Sequence, residues 1–232
     1  MLTPLAENIW LADGPVVTAA LGFHYPTRMA VIRLADGSLF VWSPVALSED
    51  LRAAIDVTGP VAHLVAPNQL HDSFIADWAK AYPAARVHLA PRLTAKRPDI
   101  AFADPLTDTP AIGWAGEIDQ ALVENRIAPE IVFFHRASGT VLVTDLIQQL
   151  PKGWYRGWRS LIARLDLMTA AEPSVPRKFR LAIGQGSAAR AAISKILAWP
   201  ARHLVFAHGA PVGANAKGAL AHAFGWLKAG PA

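Results

Sequence analysis

Short, strongly apolar runs recur along this sequence, and each is too brief to be anything but a strand. Residues 61–66, 130–135, 139–145 and 203–207 are rich in Val, Ile, Leu and Phe, and turn residues separate them. Such runs read as strands buried on both faces. Residues 28–34 and 38–43 flank Ala35-Asp36-Gly37 and should pair as a hairpin. A shorter strand, 8–12, is expected to close at the Asp13-Gly14-Pro15 turn. Another strand is expected at 86–89. Helical patterns intervene at 48–57, with Ser48 as N-cap, and at 72–82, 154–170, 187–198 and 215–228. Strand-rich halves, each followed by helices, predict an α+β fold: two sheets face to face with helices outside. A single domain over 1–232 is expected.

Composition narrows the class of protein. Hydrophobic residues make up 53% and charged residues 17% of the 232, which excludes a disordered chain. No apolar run approaches the roughly 18 residues of a membrane span, and no membrane partner is expected. The opening MLTPLAENIW lacks the pattern of a signal peptide, so a cytoplasmic protein is expected. Without cysteine there is no disulfide, thiolate metal site or cysteine nucleophile. The net charge of +4 is weak support for a nucleic-acid partner. Lys152, Arg156, Arg159 and Arg164 do interleave with Trp154, Tyr155 and Trp158, as stacking platforms for nucleic acid do. The simpler reading, which is preferred, is an amphipathic helix with Trp158, Leu161, Ile162 and Leu165 facing inward.

Three strand ends carry residues able to hold a metal: His71-Asp72 after 61–66, Asp145 at the end of 139–145, and His208 after 203–207. Two imidazoles with two carboxylates suit zinc, iron or manganese. Taken singly, Asp72 reads as a helix cap and His208 as a turn residue; together they suggest convergence at one sheet edge. His135 is placed to orient Asp145 across a hairpin. Glu117 and Asp119 share a strand face, while His63, His88, His203 and His222 show no convergent context.

These stretches resemble the metallo-β-lactamase fold. The phrases Tyr25-Pro26-Thr27-Arg28-Met29, Ala66-Pro67-Asn68, Phe133-Phe134-His135 and Thr144-Asp145-Leu146 are similar to the branch called domain of unknown function 4336. The resemblance implies a four-layer αββα sandwich with a metal site along the shared edge of two sheets. Typical members carry T-H-x-H-x-D-H, and here Ala66-Pro67-Asn68-Gln69-Leu70-His71-Asp72 stands in its place. Pro67 and Gln69 replace the first two histidines, and Asn125-Arg126-Ile127 lacks the middle one, so the first metal site is expected to be missing. His71, Asp72, Asp145 and His208 match the second. The resemblance therefore implies a hydrolase-like protein with a degenerate site for one divalent ion (zinc, iron or manganese) or none, acting on a small molecule. The alternative is a non-catalytic member that binds a ligand or partner.

Overall fold

The computed structural model describes residues 1–103 and 105–227, so the expected end of the last helix at Lys228 lies outside the described residues. One sheet has six strands in sequence order: β1 (Thr3–Ala6), β2 (Ile9–Thr18), β3 (His24–Arg33), β4 (Leu39–Trp42), β5 (Val61–Ala66) and β6 (Arg86–Leu89). The first four pair antiparallel, and β4, β5 and β6 run parallel through crossovers that contain α1 (Glu49–Thr58) and α2 (Ile75–Ala81). A short helix, α3 (Leu93–Lys96), follows β6. The second sheet contains β7 (Ile118–Val123), β8 (Glu130–His135), β9 (Thr140–Gln149) and β10 (His203–Gly209), in the order β10-β9-β8-β7. Its helices are α4 (Trp158–Leu165), α5 (Arg177–Ile183), α6 (Ser187–Ala198) and α7 (Ala216–Phe224).

Strand alternation sorts the core into layers, because successive side chains point to opposite faces. Ile32, Phe40, Trp42 and Val65 of the first sheet meet Ile131, Phe133, Leu142 and Val205 of the second in a central layer. Their neighbours Val31, Val41 and Leu64 turn outward and pack with Leu51, Ile55, Ile75 and Trp78. On the far side, Val132, Val141 and Phe206 pack with Phe179, Ile193, Ile196 and Leu220. The result is the expected αββα sandwich. As expected, Ser48 caps α1, its Oγ accepting from Leu51 N–H at 3.2 Å.

Two expectations about local structure are corrected. Asp13-Gly14-Pro15 does not end a strand: β2 runs on to Thr18, with its pairing to β3 shifting between Gly14 and Val17. Gly14 is needed there, because a Cβ would sit 2.5 Å from Thr27 Oγ1 and from Val45. The expected 154–170 helix is only α4, and its apolar stripe faces solvent instead of the core. Trp154 and Tyr155 are turned inward instead, both donating to the His24 carbonyl at 2.9 and 2.7 Å.

Candidate metal centre

The site begins with an irregularity in β9. Its parallel pairing with β10 matches Phe206 to Val143 and then His208 to Gln148, so β9 has three more residues than its partner over this stretch. Such a bulge breaks the ladder and re-aims side chains. It also removes ladder partners from the N–H groups of Thr144, Asp145 and Leu146. The carboxylate of Glu130, fully buried on β8, accepts all three at 2.6, 3.0 and 3.1 Å. Burial and the nearby Asp145 charge push the Glu130 carboxyl up to about 7, against the pull of those donors.

Asn68, also fully buried, completes the support. Its Nδ2 approaches Asp145 Oδ2 at 2.7 Å, Thr144 Oγ1 at 2.8 Å and Glu130 Oε2 at 3.3 Å. Its Oδ1 accepts from the Leu70 and His71 N–H groups at 2.7 and 3.1 Å, which shapes the loop after β5. This is an Asx turn, the local bonding that asparagine offers a backbone leaving a strand.

Two imidazoles then close on Asp145. His71 Nε2 lies 3.3 Å from Oδ2, and His208 Nε2 lies 3.2 Å from Oδ1. One ligand atom from each of the three residues lies within 4.8 Å of the other two. Each ring is also held from behind. His71 Nδ1 meets Ser43 Oγ at 2.8 Å, and His208 Nδ1 meets the Pro26 carbonyl at 2.9 Å. Ser43 is buried with φ +50°, a left-handed conformation that costs a non-glycine residue and tends to occur at functional sites. Arg28 ties the two sheets together at this edge, its Nη1 donating to the carbonyls of Phe206 (3.1 Å) and Gly209 and its Nε to Asp13 Oδ1 (2.7 Å).

The hydrogen bonding determines what the cluster needs. A carbonyl only accepts, so His208 Nδ1 carries the hydrogen and Nε2 of a neutral ring presents a lone pair. A lone pair 3.2 Å from a carboxylate oxygen is repelled unless a cation, either a proton or a metal ion, joins them. Burial alone would raise the Asp145 carboxyl. Its electrostatic and hydrogen-bonding interactions with His71 and His208 outweigh it and hold the group well below the usual carboxylate range. The three residues form part of the wall of a cavity of about 390 Å³ whose lining includes Val17, Tyr25, Leu70, Phe74, Ile127 and Phe179. Lys178 reaches its rim, 3.4 Å from Asp166 and 5.9 Å from the centre of the Tyr25 ring.

Of the four expected ligands, the structure brings together His71, Asp145 and His208. Asp72 faces the other way, its carboxylate 3.0 Å from Lys96 Nζ and 3.4 Å from Arg97 Nη1. His135 does not orient Asp145. It pairs with Thr140 at the opposite end of β8 from Glu130, about 17 Å along the strand, and bonds Ser138 Oγ at 2.7 Å. Gln69 donates to the Ile127 carbonyl, and Asn125 folds into a turn with Ile127 and Ala128. Glu117 accepts from the Ala35 N–H, and Asp119 pairs with Arg136 at 2.6 Å. His63 and His88 do converge, Nδ1 to Nε2 at 3.0 Å beneath Trp114, on a separate cavity of about 340 Å³. Sequence reasoning missed Ser43, Asn68 and Glu130. The available signal was an acid opening the otherwise apolar run 130–134.

Comparison with known proteins agrees with this fold. The family model Domain of unknown function (DUF4336) matches residues 7–156. Among solved structures, a metallo-β-lactamase from Pontibacter korlensis is 16% identical with TM-score 0.60, covering 94% of this chain and 95% of that one. The metallo-β-lactamase FIM-1 from Pseudomonas aeruginosa in its mono-zinc form is 13% identical with TM-score 0.58, covering 95% and 92%. The metal-soaked Flv1 flavodiiron core from Synechocystis sp. PCC6803 is 12% identical with TM-score 0.65, covering 98% of this chain and 60% of that one. No curated protein matches the sequence.

Proposed function

The chain belongs to the DUF4336 family within the metallo-β-lactamase superfamily, and from that premise we propose that it is a hydrolase-like protein with a site for one divalent ion held by His71, Asp145 and His208. The observation that carries this reading is the His208 ring. Its Nδ1–H is committed to Pro26, so Nε2 is left as a donor atom aimed at a buried carboxylate. Two imidazoles and one carboxylate within 4.8 Å fit zinc, iron or manganese. A bound ion would supply Lewis acidity to polarise an ester, amide or phosphate oxygen. The remaining work falls to the chain itself. Ser43 and Pro26 fix the two rings, Asn68 fixes the carboxylate, and Glu130 fixes the backbone that carries it. The walls formed by Leu70, Phe74, Ile127 and Phe179 hold the apolar body of a small molecule and exclude water. Pro67, Gln69 and Asn125 offer no second set of ligands, which supports a single ion.

The second reading, a ligand-binding protein without turnover, draws on Asn68. Its amide sits 2.7 Å from Asp145 Oδ2, so one carboxylate oxygen is already engaged by hydrogen bonding. Elemental analysis of protein purified without added metal separates the two. The metal-site reading expects close to one zinc, iron or manganese per chain in wild type and a loss of most of it in His208→Ala. No metal in wild type, before or after incubation with each ion, overturns the hydrolase reading in favour of the second.

A further inference from the structure

Helix α4 turns its apolar side to solvent. Trp158, Leu161, Ile162 and Leu165 are 44–53% exposed, and Ala163 is the helix's buried residue. At about 100° per residue, those four positions form one stripe and Ala163 lies roughly opposite its midline. A helix that only had to pack on the body of the protein would carry the reverse arrangement. Leu21, 74% exposed, extends the stripe from a separate segment. Its carbonyl accepts from Arg159 Nε at 2.7 Å, and next to it Phe23 meets Trp158 edge-on with ring centres 5.8 Å apart. Exposed apolar surface contributed by two segments marks a contact surface more than isolated exposed leucines do.

The charge beside this stripe has one sign. Arg159 and Arg164 project about 110° to either side of its midline. Arg156 precedes it, and Arg177, whose Nη1 donates to the Leu165 carbonyl at 2.8 Å, stands at its C-terminal end. The helix contains no acid, and Asp166 just beyond it is taken up by Lys178, accepting from its N–H at 2.8 Å with its Nζ at 3.4 Å. These charges disfavour a second copy of the chain as the occupant. Antiparallel pairing of α4 with itself sets Arg159 on Arg159 and Arg164 on Arg164, and parallel pairing sets Arg159 on Arg164. An aromatic and aliphatic stripe with arginines along both flanks instead matches an anionic bilayer surface. There the apolar side chains enter the headgroup boundary while the guanidinium groups remain among the phosphates.

We propose that α4, with Leu21, is a ridge by which this protein docks on an anionic lipid surface. The expectation of no membrane partner rested on the lack of a spanning run. Among the described residues no helix is long and apolar enough to cross a membrane, but surface docking needs none. Two segments beside the ridge reach the metal-site cavity: Thr18 and Ala19 before Leu21, and Lys178 and Phe179 after Arg177. Docking would bring the rim of that cavity near the lipid surface.

Co-sedimentation of the full chain with vesicles tests this, comparing phosphatidylcholine containing phosphatidylglycerol with phosphatidylcholine alone. Wild type should partition onto the anionic vesicles, and added salt should release it. Trp158→Ser with Leu161→Ser should weaken partitioning about tenfold or more. Arg156→Glu with Arg164→Glu should weaken it at least about fivefold per charge. Both variants change exposed side chains, so an unchanged urea midpoint and far-UV spectrum would show that the fold is intact. Failure of wild type to bind, equal binding to both vesicle types, or unchanged binding by both variants would overturn the proposal. A concentration-dependent dimer that the serine variant dissolves would overturn it in favour of a second copy, and an acidic protein that competes in the absence of any vesicle affinity would do so in favour of a protein partner.

Discussion

Replacing Glu130 by glutamine preserves volume while removing charge, and the structure sets the expected consequence. In the folded chain this carboxyl titrates near 7, pushed up by burial and by Asp145. The unfolded chain releases its proton near an ordinary 4.5. The raised value makes its stability contribution complete below about pH 4.5 and lost as pH rises through 7, at about 1.4 kcal/mol per pH unit and about 3 kcal/mol in all. Glutamine does not titrate, so this part of the decline should vanish. The amide carries its own cost. Turned either way, its NH2 faces a backbone N–H, that of Thr144 on one side or those of Asp145 and Leu146 on the other. At least one buried donor is then left without an acceptor, at about 1–3 kcal/mol. Glu130→Gln should therefore be less stable than wild type by about that much at pH 4.5, with the gap closing towards pH 8. Urea unfolding of metal-stripped protein at pH 4.5, 6 and 8 measures it. Parallel stability curves for the two proteins across that range would show that Glu130 is ionised throughout and would refute the reasoning.

Other outcomes follow from the same geometry. His208→Ala and Asp145→Ala should each abolish metal retention in elemental analysis, and the double variant should be little worse than either because both serve one ion; additive stability losses with metal content unchanged would argue against a shared ion. Calorimetric titration of metal-free protein should show one tight site per chain, and a second would contradict the loss of the Pro67 and Gln69 positions. Asn68→Leu removes the amide that braces Asp145, and metal affinity should fall about 10–100-fold by competition with a chelator, the usual cost of losing a ligand's support. Burial pushes the His88 imidazole down to about 3, with the adjacent His63 lowered as well. That stability is complete above about pH 6.5 and is lost below it at about 1.4 kcal/mol per pH unit, so His88→Gln should show a flatter decline in urea midpoint between pH 6.5 and 4.5.

Much of the fold was legible because it depends on local pattern. Alternation in β3, β4, β8 and β9 sorts side chains between the central and outer layers, and Ser48 caps α1 through a hydroxyl placed by its own sequence context. His71, Asp145 and His208 were legible because each follows or closes an apolar run in the sequence; Asp145 and His208 lie on neighbouring parallel strands of the second sheet, and His71, after β5 of the first, meets them across the shared edge. The errors share a physical origin too. Amphipathicity says which side of α4 is apolar, but whether that side meets protein or solvent depends on where the helix is docked. The adjacent residues His71 and Asp72 point in different directions because the Asn68 turn sets the path of the loop, and Lys96 and Arg97, supplied by a later helix and its end, capture the acid.

By itself the sequence determined most of the strands, though not β1, the two-sheet sandwich, and four candidate ligands that include the clustered three, since these follow from periodicity, turn chemistry and chain order. Only the tertiary structure decided how Asp145 is aimed. Its direction depends on a three-residue bulge against β10, on Glu130 falling opposite the bulge across the β8–β9 register, and on Asn68 arriving from the other sheet. Register, bulges and contacts between sheets couple residues 62 to 77 positions apart in these hydrogen bonds, and no local pattern records that coupling.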